Sequence, residues 1–384
     1  MTARHPFLLT PGPLALDAEV KAEMQFDMGS RDVSFKKITE RVRSLIVDLL
    51  DARGGYSAVP MQGGGSYGVE AALASFVGTS DRPLVCINGN YGERIFKMLQ
   101  IRGINAVSIV APSDQSFPMT KVAACLGEDP GITHLCFVHC ETTTGVVNPL
   151  RPMVELATRH GVRTIIDAMS SFGAVEISAR EVPFDVLVTS SNKCIEGPPG
   201  VSFVVASLET LDIKTSETNS FVLDVRDQWR NFEQTGEWRS TPPTHVVRAC
   251  AKALEELAIE GVVRRGERYA SVRDAIIRAT GPYASPLLDP RDRSPVCLAL
   301  TARDVVRTQE DLDALYAHLV EYNLYIYTKL HLPTRSFRIG CMGCIDPMWI
   351  RLLGIAFEDF FSASFDESGS HPGRRITDLW KKAI

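Results

Sequence analysis

Several things are scarce in this chain, and each scarcity narrows what it does. No apolar run approaches the roughly 20 residues that a helix needs to cross a bilayer, so no membrane partner is expected. Charge of one sign is missing too. Lys and Arg total 41 against 46 Asp and Glu, a formal net charge of −5, with the basic residues scattered. A nucleic-acid partner, which would want a basic face, is not expected. Nine cysteines make an odd number with no regular spacing. Cys86, Cys136 and Cys297 sit inside apolar runs, where cysteine acts as a small hydrophobe. That usage suits a reducing cytoplasm rather than a disulfide scaffold. Cys341 and Cys344 have C-x-x-C spacing, but no second pair accompanies them, so neither a zinc site nor a redox dithiol is expected. Pro6, Pro11, Pro13 and Asp17 interrupt the first residues in a way that a secretion signal would not.

The remainder is ordinary globular sequence, 45% hydrophobic and 23% charged. At 384 residues it exceeds a typical single core. The expected organisation is an N-terminal arm (1–20), a large domain (21–259) and a smaller C-terminal α+β domain (260–384). In the large domain short apolar runs alternate with amphipathic stretches. Strands are expected at 56–62, 84–88, 106–110, 134–139, 163–167, 186–188 and 201–206. Helices are expected at 36–50, 69–77, 91–102, 119–126, 154–160 and 246–259. The strand runs are continuously apolar, as in strands buried on both faces. The fold class is therefore α/β, a mostly parallel sheet flanked by helices.

In such sheets ligands bind beyond the carboxyl ends of the strands, and the loops there carry chemistry. Gly63-Gly64-Gly65-Ser66 lies between a strand and a helix, where backbone N–H groups and a helix dipole face an anion. Gly63, Gly65 and Gly68 also match a dinucleotide fingerprint. The acidic residue that should close a second strand is misplaced, however, since Asp81 precedes that strand. Tyr91 stands at a tight turn, Thr142 in a hydroxyl-rich loop, and Asp167 at a strand terminus. Lys193 is the only Lys or Arg between Arg180 and Lys214. Small hydroxyl residues precede it, and a Gly/Pro cluster from Gly197 to Gly200 follows. Taken singly each has an ordinary reading: a helix cap for Asp167, turn formers for the threonines, a surface amine for Lys193. Arg338, in a short strand between Phe337 and Ile339, fits either a cross-strand ion pair or a bound acid group. Together, an amine, a phosphate cradle, a strand-end carboxylate and an aromatic are the parts that pyridoxal phosphate chemistry requires.

The motifs also resemble a known family. They include Leu-Thr-Pro-Gly-Pro at 9–13, Gln-Gly-Gly-Gly-Ser-Tyr-Gly-Val-Glu at 62–70, Asn-Gly-Asn-Tyr-Gly at 88–92 and His-Cys-Glu-Thr-Thr-Thr-Gly at 139–145. Asp-Ala-Met-Ser-Ser-Phe-Gly at 167–173, Ser-Ser-Asn-Lys-Cys-Ile at 190–195, Pro-Thr-His at 243–245 and Phe-Arg-Ile-Gly at 337–340 complete the set. This pattern is similar to the class V, fold-type I aminotransferases, and within them to the 2-aminoethylphosphonate–pyruvate transaminases. The resemblance implies pyridoxal 5'-phosphate, with Lys193 as the Schiff-base lysine and proton shuttle and Asp167 on the pyridine nitrogen. Tyr91 and Met169 would flank the ring, and Thr142 would bond its hydroxyl. Gly64, Gly65, Ser66 and Asn192 would surround the phosphate, joined by Thr241 from the partner subunit of a homodimer. Arg338 would hold the substrate acid, carboxylate or phosphonate. The implied reaction moves an amine from 2-aminoethylphosphonate to pyruvate. The alternatives are alanine–glyoxylate or serine–pyruvate exchange, or the same reaction used biosynthetically. Three positions depart from the pattern: Gly64 replaces a usual serine, Tyr327-Thr328-Lys329 replaces a Tyr-Pro-Gly turn, and Cys341 and Cys344 follow Arg338.

Overall fold

The computed structural model describes residues 6–213, 218–303, 305–328 and 335–362. Lys329 and the outer parts of the expected arm and C-terminal domain, 1–5 and 363–384, lie outside them.

Seven strands form the central sheet. Their spatial order is Tyr56–Gln62, Val201–Ser207, Val186–Ser190, Arg163–Asp167, His134–Val138, Pro83–Ile87 and Val107–Val110. Only Val201–Ser207 runs against the others, being antiparallel to both neighbours. The continuous apolar runs are explained by burial: every residue of the strands His134–Val138 and Val186–Ser190 is buried. Val107–Val110 is an edge strand and alternates between half-buried and exposed positions.

Two helices begin four residues earlier than periodicity predicts. One runs Gly65–Phe76 with Gly64 at its N-cap, and the other Leu150–Arg159 after Pro149. Glycine and proline weaken a helix interior but are tolerated in its first turn, so these residues hid the starts. Helices Val225–Thr235 and Val262–Thr280 and strand Cys297–Ala302 were not legible as elements. Gly266 breaks the apolar pattern of the second helix. It is there because the helix packs closely, since a Cβ at Gly266 would lie 2.3 Å from the Ala174 carbonyl oxygen.

Beyond Gly261 an antiparallel sheet of Ala284–Pro286, Cys297–Ala302 and Ser336–Gly340 packs with helices Val262–Thr280, Gln309–Glu321 and Pro347–Ser362 around a second apolar core. The N-terminal arm joins that core: Phe7–Leu8 pairs with Leu324–Tyr325, and Leu9 is fully buried there. The arm therefore crosses from the C-terminal unit to the edge of the large sheet.

Candidate active site

Every parallel strand except the edge strand Val107–Val110 brings its carboxyl end, or the loop after it, to one cavity of about 200 Å³. Gly64, Gly65, Ser66, Tyr91, Thr142, Asp167, Met169, Asn192 and Lys193 all line it. Sequence separation between the first and last exceeds 120 residues, and it is the strand order that closes this gap.

Each wall has a local cause. The helix starting at Gly65 leaves its first N–H groups without helical acceptors, and Gly65 and Ser66 border the cavity. Gly65 lies close against Met169, since a Cβ there would meet Met169 Sδ at 2.7 Å. Asp167 ends its strand 6% exposed, and one carboxylate oxygen accepts the Met169 N–H at 2.9 Å. No other donor reaches this carboxylate among the described residues. Burial pushes its pKa from 3.8 up to about 6 against the opposing pull of the Arg94 and Lys193 charges, and no cation comes within ion-pair distance of it among the described residues. Lys193 follows the strand Val186–Ser190, and its Nζ donates to the Pro11 carbonyl at 2.5 Å. The arm thus borders the amine directly. Gly12, at φ +117°, lies against Lys193 as well, since a Cβ there would sit 2.8 Å from Nζ. The neighbouring Cys194 is buried, with its thiol pushed up to about 12, which keeps it unreactive beside the lysine.

Arg338 comes from the C-terminal sheet. Phe337 and Ile339 point into that unit's core while Arg338, 2% exposed, faces the Thr142 loop. Its Nη1 donates to the Thr142 carbonyl, and its buried Nε has no partner. The cross-strand ion pair considered for Arg338 does not form: no carboxylate pairs with it among the described residues. Tyr327 packs beneath the guanidinium, with its ring centroid 5.6 Å away, and donates to the Gly12 carbonyl at 2.9 Å. Thr241 does not line the cavity of its own chain; it is exposed, and its carbonyl accepts from Gln62 Nε2 at 2.8 Å.

Two residues escaped sequence reasoning. Arg94 lines the cavity, donates to Ser66 Oγ at 2.7 Å and stacks 4.7 Å from the Tyr91 ring centroid. Its position three residues after Tyr91, one helical turn on, was an available signal. Glu141 is fully buried and accepts from the N–H groups of Tyr91, Gly92 and Thr143 and from the Thr143 hydroxyl. It braces the Tyr91 turn, and no sequence feature separates it from its hydroxyl-rich loop. Replacing Glu141 by alanine leaves several buried N–H groups unpaired. The expected cost is about 2–4 kcal/mol of folding stability, read as a lowered denaturant midpoint with unchanged slope. Wild-type stability in that variant would remove the bracing role.

Comparison with known proteins agrees with this geometry. The family profile described as aminotransferase class-V matches residues 18–297. A 2-aminoethylphosphonate–pyruvate transaminase of Pseudomonas putida (strain W619) is 36% identical over 344 residues, covering 89% of this chain and 93% of that protein. One from Cupriavidus necator is 38% identical over 343 residues, covering 89% and 90%. Among solved structures, an alanine–glyoxylate aminotransferase from Nostoc sp. superposes with a TM-score of 0.86 at 23% identity, covering 94% of this chain and 96% of that one. The chain belongs to the class-V aminotransferase family. Its architecture is fold type I, and pyridoxal 5'-phosphate is the cofactor that the family implies.

The residues present fit that group. The helix starting at Gly65 opens on the cavity, the buried Asp167 carboxylate there accepts a single backbone N–H among the described residues, and an amine stands in the same cavity. At Gly64, by contrast, an added Cβ meets nothing within 4 Å. The Gly64→Ser variant is therefore expected to fold normally and to gain a hydroxyl at the helix N-cap, facing the cavity. A three- to tenfold fall in the cofactor's dissociation constant, about 1 kcal/mol, is the expected result of a titration. Unchanged or weaker binding would place the phosphate elsewhere.

Proposed function

We propose that this enzyme transfers the amino group of 2-aminoethylphosphonate to pyruvate, giving phosphonoacetaldehyde and L-alanine. The observation that carries the reading is the convergence of Lys193, Asp167 and the Gly64–Ser66 turn on one cavity, in a chain whose curated relatives bear that activity's name. The bound cofactor supplies an electron sink that makes a substrate Cα–H bond breakable and holds the amino group between the two half-reactions.

The protein's own groups do the rest. Lys193 would hold the cofactor through its amine, and as a free amine the same group would serve as the base and acid that moves the substrate Cα proton. Asp167 would face the pyridine nitrogen and favour its protonated form; a positive ring nitrogen would supply a countercharge to the buried carboxylate. Tyr91 and Met169 would cover the ring and keep water out. Thr142 would bond the ring hydroxyl, and Gly64, Gly65, Ser66 and Asn192 would hold the phosphate. Arg338, with its unpaired Nε, takes the acid group of each substrate in turn, and a guanidinium fork suits a carboxylate or a phosphonate.

The enzyme acts as a homodimer in this reading, with Thr241 reaching the phosphate across the interface. Support comes from the exposure of Thr241 and from the apolar hollow of about 300 Å³ beside it. Pro60, Met61, Tyr67, Phe221, Val222 and Trp238 contribute to that hollow, and Tyr67, Phe221 and Val222 are 60–76% exposed in the single chain. Such a patch marks an interaction surface. Among the described residues no helix is long and apolar enough to cross a membrane, and a cytoplasmic enzyme is the location this reading carries.

Alanine formation from pyruvate against a panel of amino donors tests the substrate. 2-Aminoethylphosphonate should exceed serine, glycine and other amino acids in kcat/KM by at least about 100-fold. A better rate with serine would reassign the enzyme within its family.

A further inference from the structure

One buried acid has no part in the chemistry above. Glu196 is 6% exposed and lies three residues beyond Lys193, in the same tight turn: its N–H donates to the Lys193 carbonyl at 2.8 Å. Its backbone adopts φ +62°, a left-handed conformation that costs energy for any residue but glycine. Such outliers persist where surrounding contacts hold them. Here the contacts are unusually concentrated. A single carboxylate oxygen, Oε1, accepts from Tyr269 Oη at 2.5 Å, Arg268 Nη2 at 3.0 Å and the Gly343 N–H at 3.1 Å.

These three donors belong to the C-terminal unit, and Gly343 lies five residues past Arg338 on the same segment. From there the connection continues. Cys344 N–H donates to the Ala15 carbonyl at 3.2 Å, and the arm leads back to Pro11, whose carbonyl accepts from Lys193 at 2.5 Å. Arg265 reinforces the Lys193 turn from the same helix by donating to the Cys194 carbonyl at 2.9 Å. Lys193, Glu196, Gly343 and Pro11 therefore form a closed circuit that joins the large sheet, the C-terminal sheet and the arm.

We propose that Glu196 is a positioning residue. It sets the distance between the Lys193 amine and the Arg338 guanidinium by pinning the Lys193 turn to the segment that follows Arg338. The inference rests on the reading that Lys193 and Arg338 serve one site. Proton transfer by the lysine and acid binding by the arginine must happen on one substrate, so a small error in their separation is felt as misalignment. A carboxylate suits the joint because three donors of different kinds meet one oxygen, and charge-assisted bonds are short and directional.

The test compares Glu196→Ala, Glu196→Gln and Tyr269→Phe with Tyr322→Phe. The last removes a hydroxyl bond to Asp359 (3.0 Å) in the same C-terminal core but away from the circuit. Three quantities are read on cofactor-loaded protein: KM for pyruvate against kcat, the pH midpoint of the visible absorbance of the lysine-bound cofactor, and Tm. Glu196→Ala should raise the pyruvate KM about tenfold and shift the midpoint by about half a pH unit or more, with kcat changed less. Tyr269→Phe should move both in the same direction by a smaller amount. Glu196→Gln keeps an acceptor oxygen but loses the charge, and should fall between wild type and Glu196→Ala. Tyr322→Phe should lower Tm alone. If the alanine variant does not fold, the comparison of Tyr269→Phe with Tyr322→Phe decides. Circuit variants that lower Tm but leave KM and midpoint where Tyr322→Phe leaves them would overturn the proposal. Arg338→Lys is the separate control: if it leaves the pyruvate KM unchanged, the site reading falls and this inference with it.

Discussion

Lys193→Ala is expected to lose transamination by at least about 10,000-fold, because under the proposed roles it removes both the covalent tether and the group that moves the proton. The folded protein should otherwise persist. The lysine's hydrogen bond, to the Pro11 carbonyl, is one tie of the arm among several, since Leu9 and Gly340 also bond the arm to the C-terminal unit. The decisive readout is not the rate alone. Borohydride reduction of wild-type protein should fix the cofactor covalently to the chain, and reduction of the variant should not. A variant that retains the visible band and the covalent label would put the tether on another lysine, and the site would have to be rebuilt around that residue.

The second large effect belongs to Asp167. Asp167→Ala should lower kcat by about 1,000-fold, since nothing else in the cavity keeps a proton on the ring nitrogen. Asp167→Asn should behave similarly, because an amide carries no negative charge. Stability should move the opposite way. The folded pKa of Asp167 is raised to about 6 from 3.8, chiefly by burial. The unfolded chain therefore ionises first as pH rises. Linkage makes the contribution of Asp167 to stability greatest below pH 3.8 and progressively lost as pH climbs through about 6. Stripped of cofactor and held at neutral pH, the wild-type protein should bear a burial cost on the order of 2–3 kcal/mol. Asp167→Asn should relieve much of it and melt at a higher temperature. With cofactor bound, the advantage should disappear, because the ring nitrogen then supplies the missing charge. A stripped Asp167→Asn protein less stable than wild type at pH 7 would contradict the burial argument.

These opposite signs share one cause. The cavity holds an acid and an amine, and Arg338 stands behind its Thr142 wall; the best partners of all three are not other protein groups. Asp167 has only a backbone N–H, Lys193 only a carbonyl, and Arg338 Nε nothing. Around them Glu141 accepts from the Tyr91, Gly92 and Thr143 N–H groups, and Glu196 from Tyr269, Arg268 and Gly343. The chain thus keeps its functional groups underpaired and the groups that brace them saturated.

The sequence by itself determined the class of fold and most of the site. Continuous apolar runs separated by amphipathic stretches were sufficient to place a buried parallel sheet, because a strand covered on both faces has no reason to alternate. Nine cavity residues, from Gly64 to Lys193, were legible for a related reason: a parallel sheet puts all its carboxyl ends on one side, so residues just after the strands converge whatever their order in the chain. The reversal of Val201–Ser207 was invisible, since a buried strand reads alike in either direction. So were the helix starts at Gly65 and Leu150, where glycine and proline mimic a turn.

Only the tertiary structure decided which polar groups are partners. Arg338 had two equal readings until burial showed its Nε facing no carboxylate. Arg94 and Glu141 joined the site through contacts across 28 and about 50 residues, and Glu196 met Gly343 across 147. Local pattern is silent about such distances, because a hydrogen bond depends on where two atoms finish and not on what surrounds either one in the chain.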